Sequence, residues 1–118
     1  MTMNRMLKAA ALVVTLAIAP ACAAPNITGE AARALVTKQG AVLVDVRTPE
    51  EFARGHVDGA LNVPVGELES TLATFPANKD QNVVVYCGSG RRSAKAAAIL
   101  TKAGFTKVND LGGMSNWQ

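Results

Sequence analysis

The residues of this sequence best able to do chemistry stand together in Cys87-Gly88-Ser89-Gly90-Arg91-Arg92. A cysteine supplies a soft nucleophile when it is ionised. Gly88 and Gly90 let the backbone after it curl, because glycine tolerates positive φ. A curled segment can turn successive N–H groups inward as an anion-binding nest, and Arg91 and Arg92 add two formal positive charges. All of these features favour the thiolate, the nucleophilic form. The run therefore predicts Cys87 as a catalytic residue facing an anion seat built from Gly88, Ser89, Gly90, Arg91 and Arg92. The plainer alternative is an inert cysteine closing a buried strand. It leaves the Gly-x-Gly-Arg-Arg run behind the cysteine without a role.

The flanking elements are those that would place such a loop at a functional position. Val83–Tyr86 (VVVY) is the strongest strand signal in the chain, and Ser93–Lys102 is an alanine-rich helix with Gly104 as its stop. A loop between a strand and a helix lies at the carboxyl end of the strand, where α/β sheets bind ligands. The helix N-terminus adds a partial positive charge.

The rest of the chain repeats this alternation. Thr28 caps a helix through about Gln39 with Ala31, Leu35 and Val36 on one face, and Gly40 stops it. Ala41–Val46 is a nearly continuous apolar strand. Thr48-Pro49-Glu50-Glu51 opens a short helix, with Thr48 and Glu51 spaced for a capping box, that ends near Gly55. Ala60–Val63 is a short strand stopped by Pro64, and Glu67–Phe75 a helix with Leu68 and Leu72 on one face. Thr106–Asn109 is a last short strand, Gly112-Gly113 a turn, and Ser115–Gln118 the start of a helical turn. The fold class expected is α/β, a mostly parallel central sheet flanked by helices.

The first residues follow a different logic. Arg5 and Lys8 precede an apolar or small-residue run over 9–19, broken only by Thr15. Pro20 and the small residues Ala21-Cys22-Ala23-Ala24 follow. This order predicts a signal peptide over 1–23 and an exported domain over 24–118. The apolar run is about half of the ~20 residues that a membrane-spanning helix needs, so no transmembrane span is expected in the mature form. Cleavage after Ala23 leaves Cys87 as the lone cysteine. Cleavage after Ala21 would leave Cys22 first, as in lipoprotein processing, although Ala19 stands where leucine is usual. Removing Arg5 and Lys8 takes twelve basic residues to ten against nine acids, a net charge of +1. With no basic cluster left, a nucleic-acid partner is not expected.

Four motifs resemble the single-domain rhodaneses. Cys87–Ser93 (CGSGRRS) is similar to their active-site loop, Cys-x-x-Gly-x-Arg-Ser. Asp45–Phe52 (DVRTPEEF), Gly55–Pro64 (GHVDGALNVP) and Leu111–Met114 with Trp117 resemble their other motifs, in order. The leader adds a likeness to small periplasmic thiosulfate sulfurtransferases. The resemblance implies a persulfide on Cys87, filled from thiosulfate or a similar small sulfur anion. Cyanide or a thiol, a protein thiol included, would be the acceptor. It implies no metal and no organic cofactor, and a structural place for His56. Asp45 and Arg47 are read as scaffold, with an Arg47–Glu51 pair as one way to use the charge, and Met114 and Trp117 as packing residues. The rival readings are a non-catalytic binding or regulatory module of the same fold and a Cys-based phosphatase or arsenate reductase. The latter places five residues between cysteine and arginine. Here Arg92 follows Cys87 after four, and Ser93 holds the position such an enzyme would need.

Overall fold

A computed structural model describes residues 25–118 of the chain. The expected leader, its cleavage after Ala23 or Ala21, and Cys22 lie outside the described residues. Helix α1 spans Gly29–Gln39, strand β1 Val42–Asp45, α2 Pro49–Arg54, β2 Leu61–Asn62 and α3 Val65–Leu68. Then come β3 at Val83–Cys87, α4 at Arg91–Lys102 and β4 at Val108–Gly113. The four strands form one sheet in the order β2-β1-β3-β4, and every pairing is parallel. The α/β class with a parallel sheet and flanking helices is the architecture found.

Alternation along β3 assigns the two faces. Val83, Val85 and Cys87 point into a layer with Val44, Val46, Leu68, Ala96, Leu100 and Phe105. Val84 and Tyr86 point into the other layer, with Ala32, Leu43, Val57, Ala60 and Leu111. All five β3 residues are buried, as a central strand covered on both faces requires. Cys87 thus ends an inner strand buried along its whole length, and Tyr86 beside it faces the opposite layer.

The caps read from sequence are in place. The Thr28 hydroxyl accepts from Ala31 N–H at 3.1 Å, and Thr48 and Glu51 form a reciprocal capping box at α2. On α1, Ala32 rather than Ala31 is the buried alanine, and Leu35 and Val36 pack against its layer.

Several elements differ from expectation. The helix expected over Glu67–Phe75 begins at Val65 and tightens into a 3-10 helix over Glu69–Thr74. Ser70, Thr71 and Thr74 hydroxyls donate to carbonyls three or four residues back there, competing with the α-helical ladder. Helix α4 starts at Arg91, two residues early, because Gly90 at φ 101° turns the chain directly into it. Strand β4 runs to Gly113, so Gly112-Gly113 is strand rather than turn. The β3–β4 register shifts after Val85, and Gly112 at φ 80° accommodates the irregularity. The chain's last helical turn is a 3-10 turn over Met114–Trp117. Met114 and Trp117 both pack against the Tyr86 layer.

Candidate active site

Cys87 is fully buried at the carboxyl end of β3. Immediately after it the chain surfaces at Gly88 and Ser89, which are exposed, and returns at Gly90. The positive φ of Gly90 aims its N–H back at the cysteine, and it donates to Cys87 Sγ at 2.9 Å. Ser93, buried on the first turn of α4, donates its hydroxyl to the Gly90 carbonyl at 3.0 Å, and Ala94 N–H donates to the same oxygen at 3.1 Å. Gly90 is therefore fixed through its oxygen while its N–H faces the sulfur. The first N–H groups of α4, from Arg91 onward, precede the opening bond of the helical ladder and have no intrahelical acceptor. Among the described residues, the N–H groups of Gly88 and Ser89 also meet no protein acceptor. The loop thus presents a cluster of backbone donors around a sulfur.

The two arginines differ. Arg91 is exposed and forms no ion pair among the described residues. Arg92 is held by Glu51, with Nη1 to Oε1 at 2.5 Å and Nη2 to Oε2 at 2.9 Å. Glu51 is pulled down to about 2, first by the hydrogen bond from Arg92, against an upward push from desolvation, with the two Thr48 cap bonds adding to the lowering. Arg92 is raised above the ordinary arginine value, chiefly by the same carboxylate, with a further contribution from Cys87. The expected Arg47–Glu51 pair does not form: Arg47 turns inward to Asp45, and Arg92 takes Glu51 instead.

The wall opposite Glu51 is β4. Gly113 lies across from Cys87 in the parallel register. A Cβ on Gly113 would stand 2.8 Å from the Gly88 carbonyl oxygen, closer than such atoms approach. A cavity of about 230 Å³ opens on this side, lined by Pro25, Ser89, Gly90, Arg91, Gly112, Gly113 and Asn116.

Next door, the end of β1 is closed. Asp45 is buried and accepts from Arg47 N–H at 2.9 Å, from Nε at 3.0 Å and from Nη2 at 2.7 Å. Arg47 Nη2 also donates to the Gly55 carbonyl at 2.6 Å, and the guanidinium lies 5.9 Å from the Tyr86 ring centroid. The Tyr86 hydroxyl accepts from Val57 N–H at 3.0 Å, and burial holds this phenol well above its usual range. Asn62 donates to the carbonyls of Asp45 and Arg47. His56 is exposed, stacked on Phe52 with ring centroids 3.6 Å apart, and its Nδ1 lies 2.8 Å from the Phe52 carbonyl.

The sequence grouped Cys87, Gly88, Ser89, Gly90, Arg91 and Arg92 in one run, and the structure places them around one junction: Cys87 ends β3, Gly88, Ser89 and Gly90 form the turn, and Arg91 and Arg92 open α4. Two contributors escaped it. Glu51 was already assigned to the capping box, and its second bond crosses 41 positions. Gly113 was read as a turn glycine, whereas its strand position opposite Cys87 is what requires the missing side chain.

Comparison with known proteins gives the same frame. Residues 28–118 match the family model described as "Rhodanese-like domain". The chain is 41% identical over 73 residues to the thiosulfate sulfurtransferase PspE of Escherichia coli, covering 62% of this chain and 70% of that protein. It is 34% identical over 102 residues to the human thiosulfate:glutathione sulfurtransferase, covering 76% and 89%. The solved structure of the human single-domain sulfurtransferase TSTD1 superposes with a TM-score of 0.71 at 32% identity, over 80% of this chain and 96% of that one.

Proposed function

The chain belongs to the rhodanese-like family, and from that premise we propose that it is a sulfurtransferase carrying sulfane sulfur as a persulfide on Cys87. The observation that carries this reading is the Gly90 N–H aimed at Cys87 Sγ, where a buried strand end meets the free N–H groups of a helix start. Donors fixed in this way stabilise negative charge on a sulfur and on oxygens drawn up to it, without reorganisation at the moment of reaction.

The steps balance on Cys87 alone. Its thiolate attacks the outer sulfur of thiosulfate, a new S–S bond forms at Sγ, and the S–S bond of the donor breaks. Sulfite leaves with the electron pair. The seat for the anionic group is built from the run Gly88, Ser89, Gly90, Arg91 and Arg92 mainly through its backbone N–H groups, with the two arginine side chains tuning affinity. The acceptor, cyanide or a thiolate, then attacks the outer sulfur, and the electrons return to Sγ. Thiocyanate or an acceptor persulfide is the product. Gly88 and Ser89 are exposed while Cys87 is fully buried, so the donor meets the sulfur through this loop.

The test is intact mass before and after thiosulfate. The wild type gains one sulfur atom and loses it to cyanide as thiocyanate, and Cys87→Ser gains none. A wild type that takes up sulfur from no sulfane donor would turn the reading to a binding module of the same fold. The order of residues 1–24 supports export to the periplasm or beyond, with cleavage near Ala23 and a working domain of 24–118. N-terminal sequencing of the exported protein tests it. A lipid on Cys22 would move the cleavage site, and an intact Met1 on a cytoplasmic protein would reject export.

A further inference from the structure

We propose that Glu51 is a specificity-determining residue of the transfer site: it occupies Arg92 and leaves anionic donors to the loop N–H groups and Arg91. The inference rests on the sulfurtransferase reading and adds to it what the site selects against. Glu51 reaches the loop from another element, α2, and meets both terminal nitrogens of Arg92. The pair lies over the residue that follows Cys87: a Cβ on Gly88 would stand 3.4 Å from Arg92 Nη2 and 4.0 Å from Glu51 Oε2. A unit negative charge therefore sits at the rim of a seat otherwise built to attract anions. The guanidinium that the loop sequence offers for binding is already neutralised.

Two consequences follow from charge alone. An incoming dianion meets repulsion from Glu51 that a neutral sulfane donor does not. Arg92 can meet the donor fully only by giving up a bidentate carboxylate. The pair is 34% and 30% exposed at its two side chains, so water and salt screen it in part and the effect is moderate. Arg91, exposed at the start of α4 beside the cavity lined by Ser89 and Gly113, forms no ion pair among the described residues.

Glu51→Gln isolates this role, because glutamine also completes a capping box and leaves α2 closed at its start. In sulfur transfer, the KM for thiosulfate should fall roughly three- to tenfold in Glu51→Gln, with a much smaller change in kcat. The KM for an uncharged thiosulfonate ester should move less than twofold, roughly, and the thiosulfate effect should shrink at ~0.5 M salt. A second measurement needs no turnover. Calorimetric titration of sulfate into Cys87→Ser and into Cys87→Ser/Glu51→Gln should show tighter binding to the double variant by a similar factor. Equal sulfate affinity, or a thiosulfate effect confined to kcat, would overturn the assignment of Glu51 whatever the transfer assay gives. A wild type that accepts no sulfur would instead remove the transfer reading, and the sulfate comparison would still decide Glu51.

Discussion

The carboxyl ends of β1 and β3 are neighbours in the sheet, with Asp45 in register with Tyr86, and both collect polar groups. They are finished in opposite ways. At β1 the carboxylate of Asp45 accepts from the backbone and the guanidinium of Arg47, and Arg47 closes the circuit on the Gly55 carbonyl and the face of Tyr86. At β3 the sulfur receives the Gly90 N–H, and the N–H groups of Gly88 and Ser89 meet no acceptor among the described residues. Internal satisfaction makes a polar cluster a joint, and donors left over make it a site. Each end holds an arginine–carboxylate pair, Arg47 with Asp45 and Arg92 with Glu51, so the pairing alone does not distinguish them; the β3 end adds Arg91.

That contrast can be broken or sharpened by substitution. The largest effect falls on Cys87→Ser, which should abolish sulfur uptake by mass spectrometry while shifting the melting temperature by only a few degrees. Asp45→Ala should do the reverse. It leaves a buried guanidinium unpaired and should cost about 3–5 kcal/mol in denaturant unfolding. Full activity in the folded fraction would mark β1 as a joint. Lost activity at unchanged stability would erase the distinction. Gly113→Ala tests the wall of the open end, since its Cβ would press on the Gly88 carbonyl from 2.8 Å. Turnover should fall on the order of 10–100-fold through a displaced loop. Arg91→Ala should raise the donor KM roughly threefold and weaken its salt dependence, leaving kcat nearly unchanged.

The smallest effect is a slope with pH. Glu51 lies near 2 in the folded chain against an ordinary 4.5, lowered first by Arg92. A depressed carboxylate contributes stability above its unfolded value and loses it as pH falls through the folded one. Between about pH 4.5 and 2 the wild type should therefore lose a modest increment of stability. Glu51→Gln and Arg92→Ala should flatten that part of an acid unfolding curve.

The sequence made the sheet legible because its strands are short apolar runs bounded by caps. AVLVDV and VVVYC can be buried on both faces, and Thr48-Pro-Glu-Glu announces its helix before any contact is known. The loop was legible for the same local reason, as its cysteine, glycines and arginines are contiguous. What stayed hidden depends on distant partners. Glu51 has a complete local role in its capping box, so nothing in the run predicts a second bond to Arg92. Arg47 was assigned an exposed neighbour four residues on, but the buried carboxylate two residues back is nearer to its guanidinium and sheltered from water. Gly112-Gly113 carries the composition of a turn, and only the neighbouring strand β3 makes it a strand end.

The burial of Cys87 has a consequence for which thiols could meet it. A disulfide between two copies needs their Cα atoms within about 7 Å. The backbone of Cys87 is buried at the end of a central strand, set back from the surface that a second chain would meet. A sulfur bonded to Sγ would stand about 2 Å farther out, so the cargo rather than the cysteine would be what a bulky thiol meets.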